Sequence, residues 1–195
     1  EGLLYRMALE HIEIGELVLN TREKIGANMK EARDLFKESV DSMKAKKFKQ
    51  AATSSDSCAA RAEALIKDHV SGFIMTVELA IEQVEGIDPA RPRELLTLAK
   101  QGFDQAEYDK SYDLANEAFS IVDSGQSRKA RDELAEMEKE ILLTKEMGCT
   151  IEDMLRKMDA ARTAIASKNY AQVSNTYQEV SQMAVAAMNM GVTPL

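Results

Sequence analysis

Apolar residues recur along this chain at alternating three- and four-residue spacings, the mark of an amphipathic helix face. The first run is Leu4, Met7, His11, Ile14, Val18 and Ile25, with Thr21 filling the gap. It predicts an opening helix that buries this stripe. A shorter run, Met29, Ala32, Phe36, Ser39 and Met43, predicts a helix over 29–46. A turn near Lys46-Lys47 follows. Then Ala52, Ser55, Ala59, Ala62, Ile66, His69, Phe73, Val77, Ala80 and Val84 form one stripe with no Pro inside it. One long helix over 48–85 is the simplest reading, with Gly72 as a point where it could bend. Beyond it, the pattern predicts a short helix over 89–105 and a long one over 108–147. Ser124-Gly125-Gln126-Ser127 is the weak spot in the second long helix. A short helix over 151–167 and a last one over 170–190 complete the reading, stopped by Gly191 and Pro194.

The pattern repeats. Gly26, Gly86 and Gly148 each end an amphipathic stretch, at separations of 60 and 62 residues. Gly suits the left-handed position just past a helix end. Two residues later stand Asn28, Asp88 and Thr150, which are good N-cap types. Glu31 and Asp153 follow at capping-box spacing, and Pro89 suits a first helical position. Twenty-two residues after each Gly comes an aromatic: Phe48, Tyr108 and Tyr170. Five before each aromatic stands Met43, Phe103 or Ile165, and ten after it Cys58, Ala118 or Val180.

A short helix therefore reverses the chain, and a long one carries it onward. The expected fold is all-α: three tandem up-down-up three-helix bundles, over 1–66, 67–125 and 126–195, sharing long continuous connecting helices. Placed end to end they would make a rod of roughly 90–100 Å. In this layout the chain resembles spectrin-like tandem three-helix-bundle repeat proteins, with a shorter period and no Trp. The resemblance implies a spacer or scaffold role and carries over no site residues.

Composition agrees with helix. The chain has 26 Ala and 11 Met against 9 Gly and 3 Pro in 195 residues, a helix former's usage. Many predicted core positions are Ala or Ser, which allow close helix approach but bury little area. The net charge of −8 argues against a nucleic-acid backbone as partner. Its distribution is uneven. Residues 1–66 hold 11 basic and 11 acidic residues, whereas 67–125 hold 5 and 12. The acidic middle reads as a solvated face, or else as one turned to a basic partner. Lys44, Lys46, Lys47 and Lys49 form a basic knot at one turn. It reads as a solvated hairpin tip, with contact to an acidic neighbour or a membrane surface as the other reading. No apolar run approaches a membrane span. The chain opens without an initiator Met inside a helical pattern, which suggests a segment of a longer protein or a processed one.

Candidate chemistry is sparse. His11 and His69 lack Glu three residues before them, so neither forms the Glu-x-x-His pair of a carboxylate-bridged metal bundle. Each is expected as a hydrogen-bonded residue rather than a ligand. Cys58 shares its column with Ala118 and Val180 and should be buried and inert. Cys149 precedes a helix N-terminus, where a thiolate is favoured, yet a bland link residue is the preferred reading. The two Cys should not pair, which fits a reducing compartment such as the cytoplasm without fixing it. Met137, Met147, Met154, Met158, Met183, Met188 and Met190 read as core filling, with the uncharged stretch 180–195 as the best place for a partner contact. No phosphate loop or nucleophile elbow occurs. The expectation is a non-enzymatic scaffold or protein-interaction segment with no catalytic, cofactor or metal residues. It would be monomeric, with protein partners that the sequence leaves unidentified. The alternative is a compact helical binding module for a small ligand or regulatory peptide.

Overall fold

The structure, a computed structural model, describes residues 2–21, 25–84 and 86–191. It is all-α. The elements are α1 (Gly2–Thr21), α2 (Lys30–Lys44), α3 (Phe48–Gln83), α4 (Ala90–Asp104), α5 (Tyr108–Glu146), α6 (Glu152–Ala166) and α7 (Tyr170–Gly191). The expected helix end at Glu85 and the stop at Pro194 lie outside the described residues, and α7 continues through Gly191. Neither Gly72 nor the Ser124–Ser127 stretch interrupts its helix.

The chain divides into two compact units, residues 1–82 with 90–119, and residues 83–89 with 120–195. In the first unit, α1, α2 and the early part of α3 are tied together. Ser55 donates to the His11 carbonyl at 2.6 Å, and Arg61 on α3 pairs with Glu31 on α2 at 2.7 Å. The late part of α3 meets α4 through Lys100 and Glu78. It meets α5 through Phe73, whose ring lies 5.0 Å from Tyr112 and 6.0 Å from Phe119. In the second unit, α5, α6 and α7 enclose Met137, Ile141, Met154, Met158, Val173 and Val180. Met137, Met154 and Met158 thus fill core, whereas Met147 is exposed.

Three short helices end in the same way. Lys46, Ala106 and Lys168 stand one residue beyond the C-caps of α2, α4 and α6, with φ of 57°, 58° and 57°. At each, two backbone bonds close the helix. Lys46 N–H donates to Met43 O and Lys47 N–H to Ser42 O. Ala106 and Glu107 donate likewise to Phe103 and Gly102, and Lys168 and Asn169 to Ile165 and Ala164. This is the Schellman pattern, built here without glycine. The end of α5 uses the same pair of bonds around Gly148, at φ 78°. Gly26 and Gly86 are also left-handed, both at φ 75°, as the sequence predicts.

Two expectations need correction. Met29 and Ile151, rather than Asn28 and Thr150, are the N-cap residues of α2 and α6, and neither makes a side-chain cap hydrogen bond. Each link is one residue longer than predicted. Met29 is buried and Ile151 packs against the core, so apolar burial decides the register over a capping hydrogen bond. Asn28 still accepts from Lys30 N–H at 3.2 Å, but Glu31 turns away to Arg61.

The second correction concerns α1. Leu4, Met7 and Ile14 of the predicted stripe are exposed, and the buried face is Ala8, Gly15 and Leu19. The cause is close approach. A Cβ on Gly15 would stand 2.7 Å from Ser55 Oγ. Small residues let α1 settle on α3, and the Ser55 bond fixes its rotation there. The apolar side chains left outside include Leu3, Ile14 and Leu17, at 74%, 55% and 62% exposure. In α3 the buried line includes Ala51, Ser55, Cys58, Ala62, Ile66, Val70, Ile74 and Val77. Ser55, Ala62, Ile66 and Val77 are on the predicted stripe, and the other four stand one residue to either side of it.

Gly125 has a separate reason to be glycine. A Cβ there would lie 2.5 Å from the Ile87 Cδ1 atom, so the link residue Ile87 rests directly on the α5 backbone.

Two stability predictions follow from these contacts. Replacing Lys46, Ala106 or Lys168 by Gly removes a left-handed Cβ. At Lys46 and Ala106 this raises stability by about 0.5–1 kcal/mol after the added entropy of the unfolded chain is subtracted, and at Lys168 the lost ion pair with Asp123 reduces the gain. Thermal or urea unfolding of the three single variants measures this. Gly125→Ala should be less favourable in the native background than alongside Ile87→Ala, by about 1 kcal/mol, in a double-mutant cycle.

Candidate functional site

The residue types of a hydrolytic triad meet at one place. His11 Nδ1 lies 2.5 Å from Asp56 Oδ1, and Ser55 is the neighbour of Asp56. The geometry is not that of an activated nucleophile. Ser55 gives its proton to the His11 backbone carbonyl, not to the ring. Its hydroxyl lies buried in the helix contact, whereas the His11 and Asp56 side chains are 31% and 63% exposed. The cluster can orient α1 on α3; it offers no acid–base relay to a substrate. His69 stacks at 5.9 Å on Tyr112.

Cys58 is fully buried, and burial pushes its thiol pKa up. Cys149 is half-buried, with its Sγ 3.7 Å from the Ala187 carbonyl oxygen. Neither thiol is in a disulfide. Among the described residues, no group of three or more His, Cys, Asp and Glu side chains is arranged to hold a metal ion. No helix of the described residues is long and apolar enough to cross a membrane.

Several acidic side chains of α5 are engaged with residues outside the helix. Glu133 accepts from Ser174 at 2.8 Å and Glu140 from Ser181 at 2.8 Å, two turns apart on the same α5–α7 seam. Glu138 pairs with Arg162 on α6. Asp123 accepts from Tyr170 Oη at 3.2 Å and pairs with Lys168 at 2.8 Å. That carboxylate holds the Lys168 ammonium above its usual pKa, first by hydrogen bonding and then by charge. The repeated aromatics serve packing too. Tyr5 meets Phe48 edge-on at 5.7 Å, and Phe103 meets Tyr108 at 5.5 Å.

One concavity differs in character. A groove of about 730 Å³ lies between the start of α1 and the α2–α3 turn. Leu4, Tyr5 and Phe48 supply apolar surface, and Lys46, Lys47 and Lys49 surround it. The basic knot is legible in the sequence, and its position at a turn is as expected. Tyr5 is the residue that sequence reasoning misses. Its signal is that it is the sole aromatic of the opening helix and stands off the apolar stripe. A second concavity along α5 is lined by Arg128, Lys129, Asp132, Glu133 and Glu136, with charges of both signs.

Thiol titration separates the two cysteines. In native protein, one equivalent of an aromatic disulfide reagent should react promptly, at Cys149. The second should react only after denaturation, and Cys149→Ser should abolish the prompt phase.

No family model matches this chain, and neither a curated protein nor a solved structure matches it.

Proposed function

We propose that the chain is a non-enzymatic scaffold or protein-interaction segment that acts as a semi-rigid helical spacer. In this reading its helices form three tandem up-down-up bundles over 1–66, 67–125 and 126–195, in the manner of spectrin-like proteins. The observation that carries the proposal is a mismatch of helix lengths. The long helices α3 and α5 have 36 and 39 residues, and the short ones α2, α4 and α6 have 15 each. At 1.5 Å per residue the long helices run to about 54–58 Å and the short ones to about 22 Å. A short helix can cover less than half of a long one, so each long helix has length for two successive partners. The ring contacts and hydrogen bonds along α3 support this. Its early part meets α1 and α2, and its late part meets α4 and α5.

Such a spacer works by geometry. A continuous helix passes orientation from one bundle to the next, because bending it breaks backbone hydrogen bonds. Bundles of this size are marginal alone and gain stability from neighbours through the shared helix.

Solution X-ray scattering on the monomer tests the proposal. The spacer should give a radius of gyration near ~30 Å, against ~16 Å for a compact chain of this length. The smaller value would turn the reading to a compact helical binding module. Inserting Pro at position 66, in the middle of α3, should lower the stability of both flanking segments by about 3 kcal/mol or more if they share one cooperative helix. Hydrogen exchange of 30–60 and 90–115 reads the two sides separately.

A further inference from the structure

We propose that the groove between the start of α1 and the α2–α3 turn is the docking site for an acidic protein segment that inserts a bulky apolar side chain. The inference deepens the scaffold reading, and rests on it, by naming the chemistry of one partner.

Charge comes first. Lys46, Lys47 and Lys49 are exposed and face the groove, and among the described residues no carboxylate lines it. The concavity along α5 balances its cations with Asp132, Glu133 and Glu136. Lys47 also borders Asp34, Glu38 and Asp41 in a neighbouring concavity, so the cationic excess inside the groove rests chiefly on Lys46 and Lys49. An acidic ligand would supply the missing partners as charge-assisted hydrogen bonds.

Folding does not call for these lysines. The α4–α5 turn makes the same two backbone bonds with Ala106 at the left-handed position, and it carries Glu107 and Asp109 where Lys47 and Lys49 stand. The turn geometry therefore tolerates either sign. What is peculiar to the α2–α3 turn is the combination of lysines with the Tyr5–Phe48 pair, whose edge-on rings leave apolar surface at the base of the groove. Apolar floor and cationic rim together select a ligand with one greasy side chain and flanking carboxylates.

The same features favour a protein segment over an anionic membrane. The groove is concave and receives a side chain, whereas a bilayer presents a plane. The whole chain carries a net charge of −8, which opposes approach to an anionic sheet. A bound segment senses mainly the charges within about 8 Å at physiological salt, and the charged side chains that line the groove itself are lysines.

The test uses the full chain and a fluorescein-labelled peptide in which glutamate pairs alternate with phenylalanine. Anisotropy titration should show saturable binding that weakens at least about tenfold in Lys47→Glu/Lys49→Glu. Binding should also weaken in Tyr5→Ala and at raised salt, and it should be unchanged in Lys30→Glu, away from the groove. Lys47 and Lys49 are exposed, so the double variant should keep its circular dichroism. If it does not, Lys47→Gln/Lys49→Gln serves in its place. No binding, equal binding of a peptide with glutamine for glutamate, or indifference to the lysine changes would each overturn the proposal. Recruitment to phosphatidylserine–phosphatidylcholine vesicles that competes with the peptide would assign the groove to lipid and overturn it as well. A compact shape in scattering would sink the spacer reading alone, and a failed titration would sink the groove alone.

Discussion

Each short helix must stop and hand the chain to a long one within three residues, and a single left-handed residue makes that possible. At Lys46, Ala106 and Lys168 the backbone takes a conformation that disfavours any side chain bearing a Cβ. The two hydrogen bonds closed at each site satisfy carbonyls that the helix end would otherwise expose. The following helix starts two residues later, so the left-handed residue stands at the reversal into α3, α5 and α7. The aromatic two residues on then sits beside the turn, where Phe48, Tyr108 and Tyr170 pack. Strain at three backbone positions is accompanied by a packed ring at each turn, buried at Tyr108 and half-buried at Phe48 and Tyr170.

The core that these turns organise is rich in small residues. Ala8, Ala51, Ala62, Ala99, Ala115, Ala118 and Ala161 are fully buried. Little apolar area is removed from water per residue, so the helices come close and add polar contacts at the seams. Ser55, Ser174 and Ser181 each reach across to another helix. Among the described residues, no buried side-chain nitrogen or oxygen lacks a hydrogen-bond partner. A core of this kind depends on exact spacing more than on bulk, which is why Gly15 and Gly125 stand where a neighbour meets bare backbone.

These features explain what could be read in advance. Helix positions followed from the three-and-four periodicity, and Gly26, Gly86 and Gly148 marked left-handed ends because glycine has few other reasons to stand there. Two things resisted. The rotation of α1 was hidden because its contact face is Ala8 and Gly15, which carry no hydrophobic signal, while Leu4 and Ile14 carry a strong one and face out. The helix starts were placed one residue early because Asn28 and Thr150 have capping side chains, yet burial of Met29 and Ile151 governs the link. The candidate groove was half legible. Its lysines are a run in the sequence, but its Tyr5 floor forms only when α1 lies across the turn, a contact separated by more than forty residues.

The hydroxyls at the short-to-long helix contacts have one more consequence. Ser39 on α2 donates to the Ala51 carbonyl on α3 at 2.8 Å. Sixty residues on, the roles are exchanged, and Ser111 on α5 donates to the Ala99 carbonyl on α4 at 2.7 Å. At the corresponding place in the last part of the chain stand Ala161 and Val173, with no hydroxyl on either side. One seam thus exists in three chemical versions, each complete in itself. Helices from different versions are not interchangeable parts. Set against the Ala51 side of α3, an α4-like helix would bring no hydroxyl at all. An α2-like helix set against Ser111 would bring a second hydroxyl to a seam that uses one. Segments of this chain that look equivalent by length and pattern are keyed to their own neighbours, so a shuffled or duplicated copy would recognise its proper mate by a single oxygen atom.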